Sequence, residues 1–99
     1  MIDSNQILFY LSSNKDRLEK EYHLVKIGLF GSIARGEQNN KSDIDIIVEF
    51  EENTPDLYSI KQRLKEEIQK RFNTPVDICR EKYIKPIFKE QILSEVKYA

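Results

Sequence analysis

The chain has 99 residues, of which 39% are hydrophobic and 33% charged, and its formal net charge is −1. Its single cysteine excludes an internal disulfide, and no apolar run approaches the roughly 20 residues that a membrane span needs. The weak net charge argues against stable, sequence-independent nucleic-acid binding, which needs a basic surface. We therefore expect one cytoplasmic domain over residues 1–99 that does not span a membrane.

The first segment is predicted to be an amphipathic helix. Asp3 and Gln6 have the spacing of a capping box, and apolar residues then recur at helical period to about Glu21. Because Ser12 and Ser13 are weak helix formers, the sequence also allows a break in the middle of this helix.

Two strands are predicted next, with a short helix between them. Residues 25–30 form a short apolar run typical of a buried strand, and residues 43–50 form the second strand. Ser32 is expected to cap a short helix that ends near Gly36, and a polar loop follows it.

The second half is predicted to hold a long helix, a third strand at residues 76–79, an irregular or 3₁₀-like stretch at 83–86 and a final helix. Thr54 is expected to cap the long helix and Pro55 to open it, where a missing N–H costs nothing. The apolar positions of the two helices are Leu57, Ile60, Leu64, Ile68 and Phe72, then Phe88, Ile92, Leu93 and Val96. The last four are typical of a core face, although part of that face could remain for a partner.

Strands that alternate with helices predict an α/β (α+β) domain, with helices packed on a small mixed β-sheet. The pattern does not determine the order of the strands.

Two carboxylates lie two residues apart at the start of the second strand. Alternate side chains of a strand share a face, so Asp43 and Asp45 should lie together, while Ile44, Ile46 and Val48 line the opposite face. Close carboxylates repel one another unless a cation lies between them, and Mg²⁺ prefers carboxylates together with substrate phosphate oxygens. The alternative is a pair of solvated acids on an edge strand.

A small-residue turn precedes them. Gly31 lets a phosphate approach the backbone, and Ser32 can add a hydroxyl contact at the start of a helix. The alternative is an ordinary strand-to-helix turn.

The spaced combination Gly31-Ser32, Ala34-Arg35-Gly36 and Ser42-Asp43-Ile44-Asp45 resembles the signature of the polymerase-β-type nucleotidyltransferase superfamily. The short chain is similar to its minimal branch, the MNT proteins, which are antitoxins of HEPN/MNT toxin–antitoxin pairs. The resemblance implies helices on one face of the sheet and the metal site on the other face or at its edge.

The resemblance also implies a third catalytic carboxylate. Asp77 lies in the short apolar strand Val76-Asp77-Ile78, where a carboxylate is costly unless it is paired or bound to a metal. It would be both a metal ligand and the base for the incoming hydroxyl; otherwise it is a strand-end acid bonded to backbone. Arg35 is either a phosphate contact or a structural ion-pair partner, and Gly36 is expected to end the short helix.

The function that the resemblance implies is Mg²⁺-dependent transfer of a nucleoside monophosphate, AMP from ATP, with two Mg²⁺ ions at Asp43, Asp45 and Asp77. The acceptor would be a tyrosine of a HEPN ribonuclease toxin. The alternatives are an antitoxin that acts by binding alone, and transfer to a small molecule or an RNA end. The sequence leaves open the base preference, the acceptor residue and the number of nucleotides transferred. It also leaves open whether a HEPN gene lies next to this one, and whether the protein is a monomer or a homodimer.

Other residues carry weaker signals. The basic stretches 61–71 and 80–89 are either solvated faces or surfaces that approach phosphates. His23 is expected at a helix end, and Cys79 in the third strand rather than as a nucleophile, because no activating histidine is near it in the sequence.

Overall fold

The computed structural model describes residues 2–37, 39 and 41–99. Its elements in chain order are α1 (Ser4–Ser13), α2 (Lys15–Tyr22), β1 (Leu24–Phe30), α3 (Gly31–Ala34), β2 (Ile44–Phe50), α4 (Leu57–Phe72), β3 (Val76–Arg80), a 3₁₀ turn (Glu81–Tyr83), α5 (Pro86–Glu95) and β4 (Lys97–Tyr98). Within this described part, no helix has both the length and the apolar character to cross a membrane.

The four strands form one mixed sheet in the order β3-β2-β1-β4. Strand β2 pairs with β1 antiparallel and with β3 parallel, and β4 pairs with β1 antiparallel. The predicted class, a small mixed sheet with helices packed on it, is confirmed.

Helices α1, α2 and α4 build the main core against one face of the sheet. The alternation predicted for β2 is confirmed, because Ile44, Ile46 and Val48 are buried in this core. The helices contribute Ile7, Leu11, Leu18, Ile60, Leu64 and Ile68. Each such side chain stabilises the fold by about 1.5–3 kcal/mol when fully buried. The other face of β2 carries Asp45 and Glu49 on either side of Ile47, which is buried outside this core.

The start of α1 follows local rules closely. Asp3 accepts a hydrogen bond from the backbone N–H of Gln6, and the Gln6 side chain accepts one from the Asp3 backbone N–H, which confirms the capping box. The break that the two serines allow is also present, since α1 ends at Ser13 and α2 begins at Lys15.

Two of the predicted helix starts are wrong. Helix α3 begins at Gly31 with Phe30 at its N-cap, so Ser32 does not cap it. Helix α4 begins at Leu57 rather than at Pro55. The Thr54 hydroxyl instead donates to the backbone carbonyl of Glu51 and closes the turn after β2.

The carboxy-terminal elements are shifted from their predicted positions. Strand β3 extends to Arg80, and the 3₁₀ turn spans Glu81–Tyr83 rather than 83–86. Val96 lies beyond the end of α5, and a two-residue strand, β4, follows it.

The segment from Glu81 to Tyr98 joins β3, at one edge of the sheet, to β4 at the other edge. The Lys26 ammonium on β1 pairs with the Glu81 carboxylate at 2.6 Å. A Cβ built on Gly28 would lie 2.9 Å from both Val96 Cγ1 and Tyr98 Cδ1, so the chain packs directly on this glycine. The segment therefore covers part of the face opposite the main core.

A polar cluster joins α1, α2 and α4 at the rim of the core. Arg17 donates to Glu67 at 2.7 Å, and the hydroxyls of Tyr22 and Tyr10 donate to the same carboxylate. These contacts, with Arg17 the largest contributor, lower the pKa of Glu67 to about 2. The cluster therefore stabilises the fold through an ionised Glu67.

We predict that Glu67→Gln lowers the free energy of unfolding at pH 7 by about 2 kcal/mol, because it weakens charge-assisted hydrogen bonds. Since folding lowers the pKa of Glu67 from its ordinary 4.5 to about 2, its contribution is fully present above pH 4.5 and disappears as the pH falls through 2. Urea unfolding between pH 7 and 2 measures both effects. Glu66→Gln, at the exposed neighbour, is the matched control, and an equal loss in both variants would contradict the role of the cluster.

Candidate active site

The parallel pairing of β2 and β3 places two of the predicted site carboxylates side by side. Asp45 and Asp77 are register partners, and partners on adjacent strands share a face at a strand spacing of about 4.8 Å. That face is the one opposite Ile44 and Ile46, away from α1, α2 and α4. Asp77 is exposed, whereas Asp45 is half-buried.

Asp43, the third predicted carboxylate, lies just before β2 and acts on the same site electrostatically. The pKa of Asp45 is raised to about 6, first by burial and then by the negative charges of Asp77 and Asp43, while Arg35 opposes the rise. Three carboxylates thus create a concentrated negative potential. In residues 2–37, 39 and 41–99, no group of three His, Cys, Asp or Glu side chains is arranged as a ready metal site.

Gly31 lies against the Asp45 carboxylate. The antiparallel pairing of β1 and β2 sets Phe30 opposite Asp45, and the chain then turns at Gly31 with φ = +80°. A Cβ at this position would be 2.1 Å from Asp45 Oδ2. Position 31 therefore requires glycine for two reasons: its backbone is left-handed, and the Asp45 carboxylate occupies the space that a Cβ would need.

Ser32 connects this turn to the loop before β2. Its hydroxyl donates to Ser42 Oγ at 3.3 Å, and Ser42 Oγ also accepts the backbone N–H of Asn39 at 2.9 Å. Ser42 was not among the predicted site residues, although its place directly before Asp43 was a signal for it. The hydroxyls of Ser32 and Ser42 thus lie together next to the start of β2, where Asp43 and Asp45 are.

Arg35 forms ion pairs in the structure. Its Nε donates to Glu37 at 2.9 Å and its Nη1 to Glu95 on α5 at 3.1 Å. Of the two roles predicted for Arg35, the ion-pair role is the one present, and phosphate contact stays a prediction. Glu95 was missed because nothing in the local sequence links it to a residue 60 positions earlier.

The remaining predicted residues have structural places. Gly36 has φ = +75° and its N–H bonds to the Ile33 carbonyl, so it ends α3 as predicted. His23 ends α2 in a left-handed conformation. Burial and then Asp77 raise the pKa of the Cys79 thiol, which favours the unreactive form and agrees with a structural role.

Sequence comparison identifies the family. The family model described as nucleotidyltransferase domain matches residues 11–99. The protein adenylyltransferase MntA of Thermococcus cleftensis is 33% identical over 98 residues, which cover 99% of this chain and 97% of that protein. A Methanocaldococcus jannaschii protein with a proposed protein adenylyltransferase activity, MJ1379, is 39% identical over 95 residues, which cover 95% of each chain.

Solved structures agree. The structure of a proposed minimal nucleotidyltransferase superposes with a TM-score of 0.72 at 30% identity, covering 97% of this chain and 95% of that one. A toxin–antitoxin crystal structure with AMP-PNP gives a TM-score of 0.66 at 23% identity, covering 87% of this chain and 69% of that one, and shows a shared fold. This chain therefore belongs to the nucleotidyltransferase family, as a minimal nucleotidyltransferase of the MntA protein adenylyltransferase type.

Proposed function

We propose that this protein transfers AMP from ATP to a tyrosine hydroxyl of a HEPN-domain toxin, and that it acts as the antitoxin by this modification. The observation that carries the proposal is the contact between Asp45 and the Gly31 turn, with Asp77 beside them. Relatives named as protein adenylyltransferases support a protein acceptor, and the toxin–antitoxin complex that shares the fold supports a toxin as that acceptor.

The phosphates of ATP would lie at the Gly31 turn. Without a side chain, Gly31 leaves its backbone open to a phosphate oxygen beside Asp45. The hydroxyls of Ser32 and Ser42, which hydrogen-bond to one another, can turn to phosphate oxygens. Arg35 extends positive potential to Asp45 and would do the same for a phosphate placed there.

The donor set suits Mg²⁺. Asp43, Asp45 and Asp77 supply the hard oxygen ligands that this ion prefers. The pKa of Asp45 is raised first by burial and then by the charges of Asp77 and Asp43, and a cation would offset that repulsion. These three residues would hold two Mg²⁺ ions together with phosphate oxygens of the nucleotide. Bound Mg²⁺ neutralises the charge that develops on the transferred group and on the leaving pyrophosphate.

The chain's own residues then position the transfer. Asp77 would accept the proton of the attacking hydroxyl, whose oxygen forms a bond to the α-phosphorus as the bond from that phosphorus to the bridging oxygen breaks and pyrophosphate leaves. Asp77 lies on β3, at an edge of the sheet, and is exposed. A hydroxyl carried on the surface of another protein can reach such a position.

We predict that co-expression of this protein with the HEPN-domain product of a neighbouring gene adds one or more adenylate groups to a tyrosine of that partner. The double variant Asp43→Asn, Asp45→Asn should add none, because it removes the charges that hold Mg²⁺ and ATP. Intact mass and peptide mapping measure the modification. An unmodified partner that still co-purifies and is silenced would favour inhibition by binding alone, and an unmodified partner that does not bind would favour a small-molecule or RNA acceptor.

We also predict that Mg²⁺ with ATP raises the melting temperature of the wild-type protein by several degrees, because ligand that binds the folded state stabilises it by mass action. Asp45→Asn should abolish this shift. The ligand-free variant should melt no lower than the ligand-free wild type, because the substitution removes a charge that Asp77 and Asp43 repel. Thermal denaturation measures both effects without a catalytic assay, and an unchanged ligand shift in the variant would contradict the assigned site.

A pair of glycine variants isolates the contact with Asp45. Gly31 and Gly36 both have a left-handed backbone, so the backbone strain alone should cost about 1 kcal/mol of stability when either is changed to alanine. A Cβ at position 36 meets nothing within 4 Å, whereas one at position 31 would collide with the Asp45 carboxylate. We therefore expect Gly31→Ala to lower the rate of adenylate transfer at least tenfold and Gly36→Ala to leave it nearly unchanged. Equal effects on the rate would contradict the role of the Gly31 turn.

A further inference from the structure

Helix α5 differs from the helices of the main core in its burial. The structure describes all of its residues, and none of them is buried, whereas Ile60, Leu64 and Ile68 of α4 are. Two large apolar side chains in its first turn are solvent-exposed, Ile87 at 82% and Phe88 at 51%. We call Ile87 and Phe88 the α5 patch. The two consecutive side chains expose apolar surface at the start of α5, and contiguous apolar surface of this kind can serve as a contact for a partner.

Helix α5, which carries the patch, is connected to the candidate active site through Arg35, the residue that follows α3. Glu95, at the end of α5, holds Arg35, and Arg35 acts electrostatically on Asp45. Phe88 and Glu95 are seven residues apart, which places them on the same side of α5 with a separation of about 10 Å along its axis. The last turn of α5 is therefore linked to the site through Arg35.

The charges around the patch indicate what kind of surface it contacts. Lys82 and Lys85 are exposed, Lys89 is partly exposed, and Glu90 is the single acid among residues 82–90. These lysines lie on or just before the helix whose last residue, Glu95, pairs with Arg35. A complementary partner presents an apolar side chain flanked by acidic groups.

We propose that the α5 patch, with Lys85 and Lys89 beside it, is the surface on which the acceptor protein docks, and that the acceptor contributes an apolar side chain flanked by acidic ones. This inference rests on the proposed function, in which the acceptor is a protein. Binding at α5 orients the acceptor and delivers its hydroxyl to the exposed Asp77. The patch thus determines which protein is modified, while the carboxylates perform the transfer.

The apolar part of the surface is tested with Phe88→Ser and Ile87→Ser. The matched control is Phe9→Ser, because Phe9 is 75% exposed on α1, in the helical layer on the other face of the sheet. The assay is adenylate transfer to the purified HEPN-domain acceptor of the proposed function, with its binding measured separately by titration. We expect each α5 variant to lower kcat/KM for the acceptor about tenfold, through KM. We expect Phe9→Ser to change it less than twofold and all three variants to keep the melting shift with Mg²⁺ and ATP.

The charged part is tested with the double variant Lys85→Glu, Lys89→Glu, with Lys15→Glu, Lys20→Glu on α2 as its control. Reversal on α5 should weaken acceptor binding and reduce its dependence on salt, because attraction between opposite charges mainly sets the rate of encounter. Equal salt dependence in the two double variants would contradict an acidic acceptor surface.

The outcomes separate docking from the proposed function. If the α5 variants transfer adenylate as the wild type does while Asp45→Asn does not, the docking proposal is wrong and the function stands. If the wild type binds the partner through α5 without modifying it, the docking surface stands and the transfer proposal is wrong. A wild-type dimer that Phe88→Ser converts to an active monomer would assign the patch to a second copy and overturn the proposal. A wild type that neither binds nor modifies the partner overturns both.

Discussion

The contact between Asp45 and Gly31 is the constraint on which the candidate site depends. The first strand ends opposite Asp45, and the chain can turn beside the carboxylate because position 31 has no Cβ and tolerates φ = +80°. The same approach half-buries Asp45 next to Asp77 and Asp43, which raises its pKa to about 6. The ionised form of Asp45 is therefore disfavoured by burial and by repulsion from Asp77 and Asp43. A cation that binds between the carboxylates would offset this repulsion.

The two faces of β2 have different roles: one packs in the main core, and the other carries the site carboxylate Asp45. Ile44, Ile46 and Val48 anchor the strand in the main core, so the backbone that carries Asp45 is held rigidly without any help from the site. Ile47 is fully buried as well, but it lies on the second face, outside the main core cluster.

The sequence correctly predicted structural features that are determined by residues close together in the chain. The capping box of Asp3, the alternation of β2 and the glycine that ends α3 are all set within a few residues. Thr54 and Pro55 have the right residue types for a helix start, yet the Thr54 hydroxyl bonds to the Glu51 carbonyl and the helix begins later. Two turn chemistries competed for the same residues, and the sequence pattern does not rank them.

Features that depend on distant residues could not be predicted in the same way. Strand β4 has two residues, too few for any periodicity, and it exists because β1 offers a free edge and Gly28 leaves room for Tyr98. The bond from Arg35 to Glu95 likewise joins residues 60 positions apart, so it depends on where α5 lies in the fold. The order of β3 beside β2 belongs to the same group, and it is what brings Asp77 to Asp45. The carboxylate pair in β2 could thus be recognised from its spacing, but its neighbours on β3 and α5 are products of the fold. A site assembled in this way, half on a rigid strand and half on an exposed edge, is suited to an acceptor that brings its own surface.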